Sequence, residues 1–137
     1  MNTKIYKQVH RLAIQLLNAA DEENDKVFDE LYAELKNLCE TNEADETTNH
    51  PVQWETLADF TQENELALSY YDKALNYAKA IDAKDYIASI SYAMAKILLE
   101  SNEKEQALEL AKQAHNAAAS GNDAELKKEI KGLLNRF

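Results

Sequence analysis

Apolar residues recur along this chain at spacings of three and four, the mark of helices that bury one face. Over residues 3–20, Ile5, Val9, Leu12, Ala13, Leu16, Leu17 and Ala20 form one such stripe. An acidic turn follows. A second helix is expected over 25–40, with Val27, Leu31, Leu35, Leu38 and Cys39 inward. The short join between the two predicts an antiparallel pair. The next segment, "TNEADETTNHPVQ", has no apolar period and reads as the longest loop. Pro51 suits the first position of a helix, where its missing N–H costs nothing, which puts Asn49 or His50 near the N-cap.

A third, shorter helix is expected over 52–62, with Trp54, Leu57, Ala58 and Thr61 inward. A fourth covers 65–80 with Ala67, Tyr71, Ala74, Leu75 and Ala78 on one face. On it Tyr71 is expected to pack, and neighbouring Tyr70 to face the next repeat or solvent. Asp82 reads as the N-cap of a fifth helix, whose face is Ile87, Ile90, Ser91, Met94, Ala95 and Leu98. Ser101 and Asn102 interrupt the pattern. A sixth helix over 103–119 turns Ala107, Leu108, Ala111 and Ala114 inward. Gly121 suits a left-handed C-cap. Asn122 and Glu125 have capping-box spacing for a seventh helix, which carries Leu126, Ile130, Leu133, Leu134 and Phe137 inward.

Composition supports an all-α reading. The 137 residues include two glycines and one proline, too few for a fold rich in tight turns. One domain of this length can bury its own core without disulfide or metal. The single cysteine, Cys39, has no internal partner and sits on an apolar stripe, where an inert buried thiol is expected. No apolar run approaches the roughly 18 residues of a membrane span. A cytoplasmic protein is the expectation, with no membrane partner.

Charge narrows the choice of partner. The net charge is −10, which disfavours nucleic acid as a ligand. Residues 21–65 hold fifteen Asp and Glu against Lys26 and Lys36, a net of −13, while the remainder is +3. Gly-rich phosphate loops, zinc-protease motifs and nucleophile elbows are missing from the sequence, so no enzyme and no cofactor are expected. The acidic loop lacks the turn glycine of a calcium loop and reads as a solvated segment.

The chain also repeats itself. "ALSYYDKA" at 67–74 aligns with "ALELAKQA" at 107–114, and Leu57 with Ala58 aligns with Met94 and Ala95. A repeated helix pair of this length predicts a helical solenoid. These residues resemble the tetratricopeptide repeat. Trp54, Leu57, Ala58, Ala67, Tyr71 and Ala74 fit one unit, and Met94, Ala95, Leu98, Ala107, Ala111 and Ala114 fit the next. Ala58 and Ala95 stand where that family commonly has Gly, and Asn102 replaces a turn Gly.

The resemblance implies an all-α, right-handed helical-hairpin solenoid of about seven helices in one domain, 1–137. A divergent hairpin would occupy 1–40, an acidic loop 41–51, two repeat units 52–119 and a capping helix 122–137. In this family the first helix of each pair lines the concave face. Carried over, that face contains Val52, Glu55, Thr56 and Asp59, then Ser89, Tyr92, Ala93 and Lys96, with Lys7, His10, Arg11 and Ile14 at the N-terminal end. The partner-binding residues expected from it are Glu55, Thr56, Asp59, Tyr92, Lys96, His10 and Arg11.

The function implied is protein–protein interaction with a basic protein or peptide, for example as an immunity protein that neutralises a toxin. The alternatives are a secretion chaperone or adaptor that holds an extended apolar peptide, and a structural protein that self-associates as a homodimer.

Overall fold

The computed structural model describes residues 3–45 and 47–137. These form seven helices: α1 (Thr3–Asp21), α2 (Asp25–Asn42), α3 (Pro51–Asp59), α4 (Asn64–Ala80), α5 (Lys84–Glu100), α6 (Lys104–Ala118) and α7 (Ala124–Leu134). The described residues contain no strand, and none of their helices is long and apolar enough to cross a membrane. They fall into two compact units, 1–70 and 71–137, whose boundary lies within α4.

In the first unit α1, α2 and α3 pack on one another. Ile5, Val9, Leu12, Leu16 and Ala19 are the buried line of α1. Leu17 and Ala20, expected inside, are exposed; Ala19, seven residues from Leu12, continues the buried line instead. From α2 come Leu35 and Cys39, whose thiol donates to the Gln53 carbonyl (3.3 Å). Val27 is exposed, at the outer edge of its stripe. Pro51 opens α3 and His50 is its N-cap. The helix ends at Asp59 rather than 62, because the Phe60 and Thr61 N–H groups tighten the last turn onto Thr56 and Ala58.

A small polar network locks the loop before α3 onto that helix. Asn49 Oδ1 accepts from Gln53 Nε2 (2.7 Å) and from Trp54 Nε1 (2.9 Å). Gln53 is fully buried, and its Oε1 accepts from Asn42 Nδ2 (3.4 Å) at the end of α2. Gln53, a buried amide with both ends satisfied, fixes one register of the loop.

His50 caps α3 with Nδ1, which accepts from the Val52 N–H at 3.0 Å. That bond requires an unprotonated nitrogen, and burial lowers the His50 pKa from its ordinary 6.5. A lowered histidine contributes stability that is complete above about pH 6.5 and is lost as pH falls through the folded-state value. Denaturant midpoints should therefore drop on acidification through pH 6. His50→Asn keeps a capping acceptor and should remove that increment. The same pH profile in both proteins would contradict the assignment.

Three turns share one device. Glu23, Asp82 and Asn102 have left-handed φ of 55°, 51° and 63°. After each, the next N–H bonds back five residues, Asn24 to Ala19, Ala83 to Ala78 and Glu103 to Leu98, each at 2.9 Å. This is the Schellman closure, here made without glycine. Asp82 is therefore the left-handed end of α4 and not the cap of α5. Ala83 holds the cap position without a side-chain bond.

Gly121 suits a left-handed C-cap by its residue type. It does not take that conformation, and no described glycine has a positive φ. The α6–α7 link runs over 119–123, long enough to spread the reversal over ordinary conformations. Asp123, rather than Asn122, caps α7 by accepting from the Leu126 N–H (3.0 Å).

In the second unit α5, α6 and α7 pack together. Ala107, Ala111 and Ala114 are fully buried on α6, and their small side chains allow close helix approach. Ala88, Ala114, Ala118 and Ile130 form one apolar cluster, and Ala95, Ala111 and Leu133 another. Phe137, expected in the last stripe, lies beyond the end of α7 and is 42% exposed.

Gly132 lies exposed within α7, and a Cβ added there would meet nothing within 4 Å. Gly132→Ala should stabilise the protein by about 0.5–1 kcal/mol, through helix propensity alone. An unchanged or lowered melting temperature would contradict this.

Candidate interaction surfaces

Each expected partner-binding residue has a definite environment. In the first unit, Glu55 and Thr56 are half-buried on α3 and Asp59 is exposed. The Thr56 hydroxyl donates to the Val52 carbonyl (2.6 Å), a bond within its own helix. His10 is exposed on α1, its ring parallel to that of Tyr6 with centroids 6.4 Å apart. Arg11 reaches Gln15 Oε1 (3.5 Å) and lies 3.7 Å from Glu34 Oε1 on α2. Both ends of that ion pair are half-exposed, so it adds little stability. His10 and Arg11 line one shallow depression of about 300 Å³ with Tyr6, Lys7 and Ile14.

In the second unit, Tyr92 and Lys96 come together on α5. The Lys96 ammonium lies 5.0 Å from the centroid of the Tyr92 ring, a cation–π contact. The ring itself is half-buried against both alanine clusters. Burial raises its phenol pKa, and the nearby Glu129 carboxylate, which accepts its O–H, raises it further. Tyr92 thus spends much of its surface and its hydroxyl on α7.

The periodicity of the sequence does not reveal a larger feature of the first unit. A cleft of about 630 Å³ opens beside Phe28, at the start of α2. Glu23, Asp25 and Asp29 line it, with Ala20 from the end of α1 and Gln62 from beyond α3. No cation is among these residues. The acidic run of residues 21–25 is visible in the sequence. What brings Gln62 to it is a cluster of three rings.

Phe28 stacks parallel to Tyr32 (6.5 Å between centroids) and meets Phe60 edge-on (6.3 Å). The Thr61 hydroxyl donates to the Leu57 carbonyl (2.7 Å), so Tyr32 O–H donates to Thr61 Oγ1 (2.7 Å). These contacts pin the end of α3 against α2 and shape one wall of the cleft. A single ring beside carboxylates in a mostly polar lining suits a basic side chain, whose stem lies on the ring while its charge meets the acids.

Among the described residues, no group of three or more His, Cys, Asp or Glu side chains is arranged to hold a metal ion. Comparison with known protein families, characterised proteins and solved structures finds no match to this chain.

Proposed function

We propose that the chain is a non-enzymatic interaction module that binds a basic protein through the acidic surface of its first unit. The observation that carries this reading is the Phe28 cleft, with Glu23, Asp25 and Asp29 on its rim. Asp59 and Glu55 on α3 add further acid to the same unit. Charge of one sign around the cleft speeds encounter and selects partners of opposite charge, while the Phe28 ring offers an apolar contact.

The finer fold we propose is a right-handed solenoid of helical hairpins like the tetratricopeptide repeat. The equivalent burial of Leu57 with Ala58 and Met94 with Ala95, and of Ala74 and Ala114, supports it. An immunity protein that covers the basic cleft of a toxin is one concrete form of this function. In that role the module acts in the cytoplasm, needs no cofactor and performs no chemistry.

The test is titration of a synthetic amphipathic helix with Leu on one face and Arg on the other. Binding should weaken at least tenfold between about 0.1 and 1 M salt, as the Debye length shrinks from about 10 to 3 Å. Glu23→Lys with Asp29→Lys should weaken it comparably and leaves the first turn of α2 intact. Binding indifferent to both changes would refute the acidic cleft as the site.

A further inference from the structure

Helix α1 has three faces where two would suffice. One is the buried line already described. A second runs through Tyr6, His10, Ile14 and Leu17, at intervals of four, four and three residues. Tyr6 is 42% exposed, Ile14 47% and Leu17 55%. That line is about 16 Å long at the 1.5 Å rise of a helix. The third face carries Lys4, Lys7 and Arg11. Residues 1–20 contain these three cations and no Asp or Glu, in a chain whose net charge is −10. The groove between the apolar line and the cations is lined by Tyr6, Lys7, His10, Arg11, Ile14 and Gln15.

A large aliphatic or aromatic side chain exposed alone needs no explanation; a line of them beside like charges marks an interaction site. The partner surface is on the same unit: the Phe28 cleft has a mostly polar lining whose carboxylates answer the cations of α1, with the Phe28 ring as its one large apolar side chain. A chain cannot fill its own cleft with this line. Ala20 of α1 itself lines the cleft. His10, near the middle of the line, lies ten residues away along the same helix, about 15 Å.

We propose that the Tyr6, Ile14 and Leu17 face of α1 docks into the Phe28 cleft of a second copy of this chain, with Lys7 and Arg11 meeting Glu23 and Asp29 there. The inference shares its cleft with the proposed function and differs in the occupant. The contact is heterologous, since each copy presents one of each surface, so it propagates head to tail. The surfaces are small beside the roughly 800 Å² per partner of stable complexes, so the association is weak and reversible. A basic partner that takes the cleft would disperse it.

Sedimentation equilibrium of the full chain tests this. The mass should rise above the 15.5 kDa of one chain as concentration enters the high-micromolar range. It should return to one chain at about 1 M salt, where screening is nearly complete. Three variants sharpen the test: Ile14→Glu with Leu17→Glu spoils the α1 face, and Glu23→Lys with Asp29→Lys spoils the cleft. Lys7→Glu with Arg11→Glu is a second way to spoil the α1 face without touching its apolar side chains. Circular dichroism melts confirm that each variant folds.

Each variant alone should be a monomer. Mixing an α1-face variant with the cleft variant should restore association and stop at a dimer, because each has one working half. Wild-type protein monomeric at every concentration would overturn the proposal, as would a mixture that stays monomeric or association that survives both changes. Flotation of the wild-type monomer with anionic phosphatidylserine vesicles, lost on Ile14→Glu with Leu17→Glu, would also overturn it, in favour of a lipid surface. A chain that binds the Arg helix in its cleft yet never self-associates would leave the proposed function standing and remove this inference alone.

Discussion

Trp54→Ala is expected to destabilise the protein by about 3–5 kcal/mol, the range for truncating a large buried aromatic. The side chain is 2% exposed. Its ring lies 5.9 Å from that of Tyr70, centroid to centroid, and its Nε1 donates to Asn49 Oδ1. Truncation removes all three contributions at once: apolar burial, ring contact and an anchor of the loop before α3. Trp54→Phe restores most of the apolar volume and no hydrogen bond, so it should cost less than half as much. Urea unfolding followed by circular dichroism reads both, since Trp54 is the only tryptophan and fluorescence would be lost. An Ala variant with an unchanged midpoint would contradict the packing described.

Tyr71→Ala should cost about 3 kcal/mol by the same cavity argument. Tyr71 is 5% exposed on a face of α4 otherwise made of Ala67, Ala74, Leu75 and Ala78, all buried. Where four of five inward positions are Ala or Leu, the one ring supplies much of the volume, and small neighbours cannot close the space it leaves. A thermal melt within a degree of wild type would refute this. Tyr70 is a useful contrast. It is half-buried, and its ring rests on Trp54 instead of facing solvent alone. Tyr70→Ala should therefore cost less than Tyr71→Ala.

The helices were legible because each carries a continuous 3.6-residue stripe, and Pro51 announced the start of α3. On α4 and α6 the alanines expected inward are buried, as are Ile90, Ser91, Met94, Ala95 and Leu98 on α5. The turns were harder to read. Asp is favoured both at N-caps and, after Gly and Asn, in left-handed positions, so sequence alone does not decide which role Asp82 takes. Gly121 misleads for the opposite reason: a residue that permits left-handed φ does not require it.

Repeat correspondence also hides differences in side-chain chemistry. The alignment that sets Leu57 and Ala58 against Met94 and Ala95 sets Trp54 against Ser91, which is fully buried with no hydrogen-bond partner for its hydroxyl among the described residues. Of the candidate surfaces, the acid was visible as a run of letters. The cleft was not, because it depends on Phe60 and Gln62 returning to Phe28 from more than thirty residues away. The exposed line on α1 was concealed by its neighbour. Leu17 is as hydrophobic as Leu16, and only the packing of α2 and α3 decides which of them is covered.

The central claim is that the first unit binds a basic protein through the Phe28 cleft. Affinity capture from the protein's own cell lysate tests it most directly, with wild type and the Glu23→Lys, Asp29→Lys variant as parallel baits, each at low and high salt. A basic partner should be held by wild type at low salt, released at high salt and absent from the variant. The same proteins retained by both baits at both salt levels would contradict it.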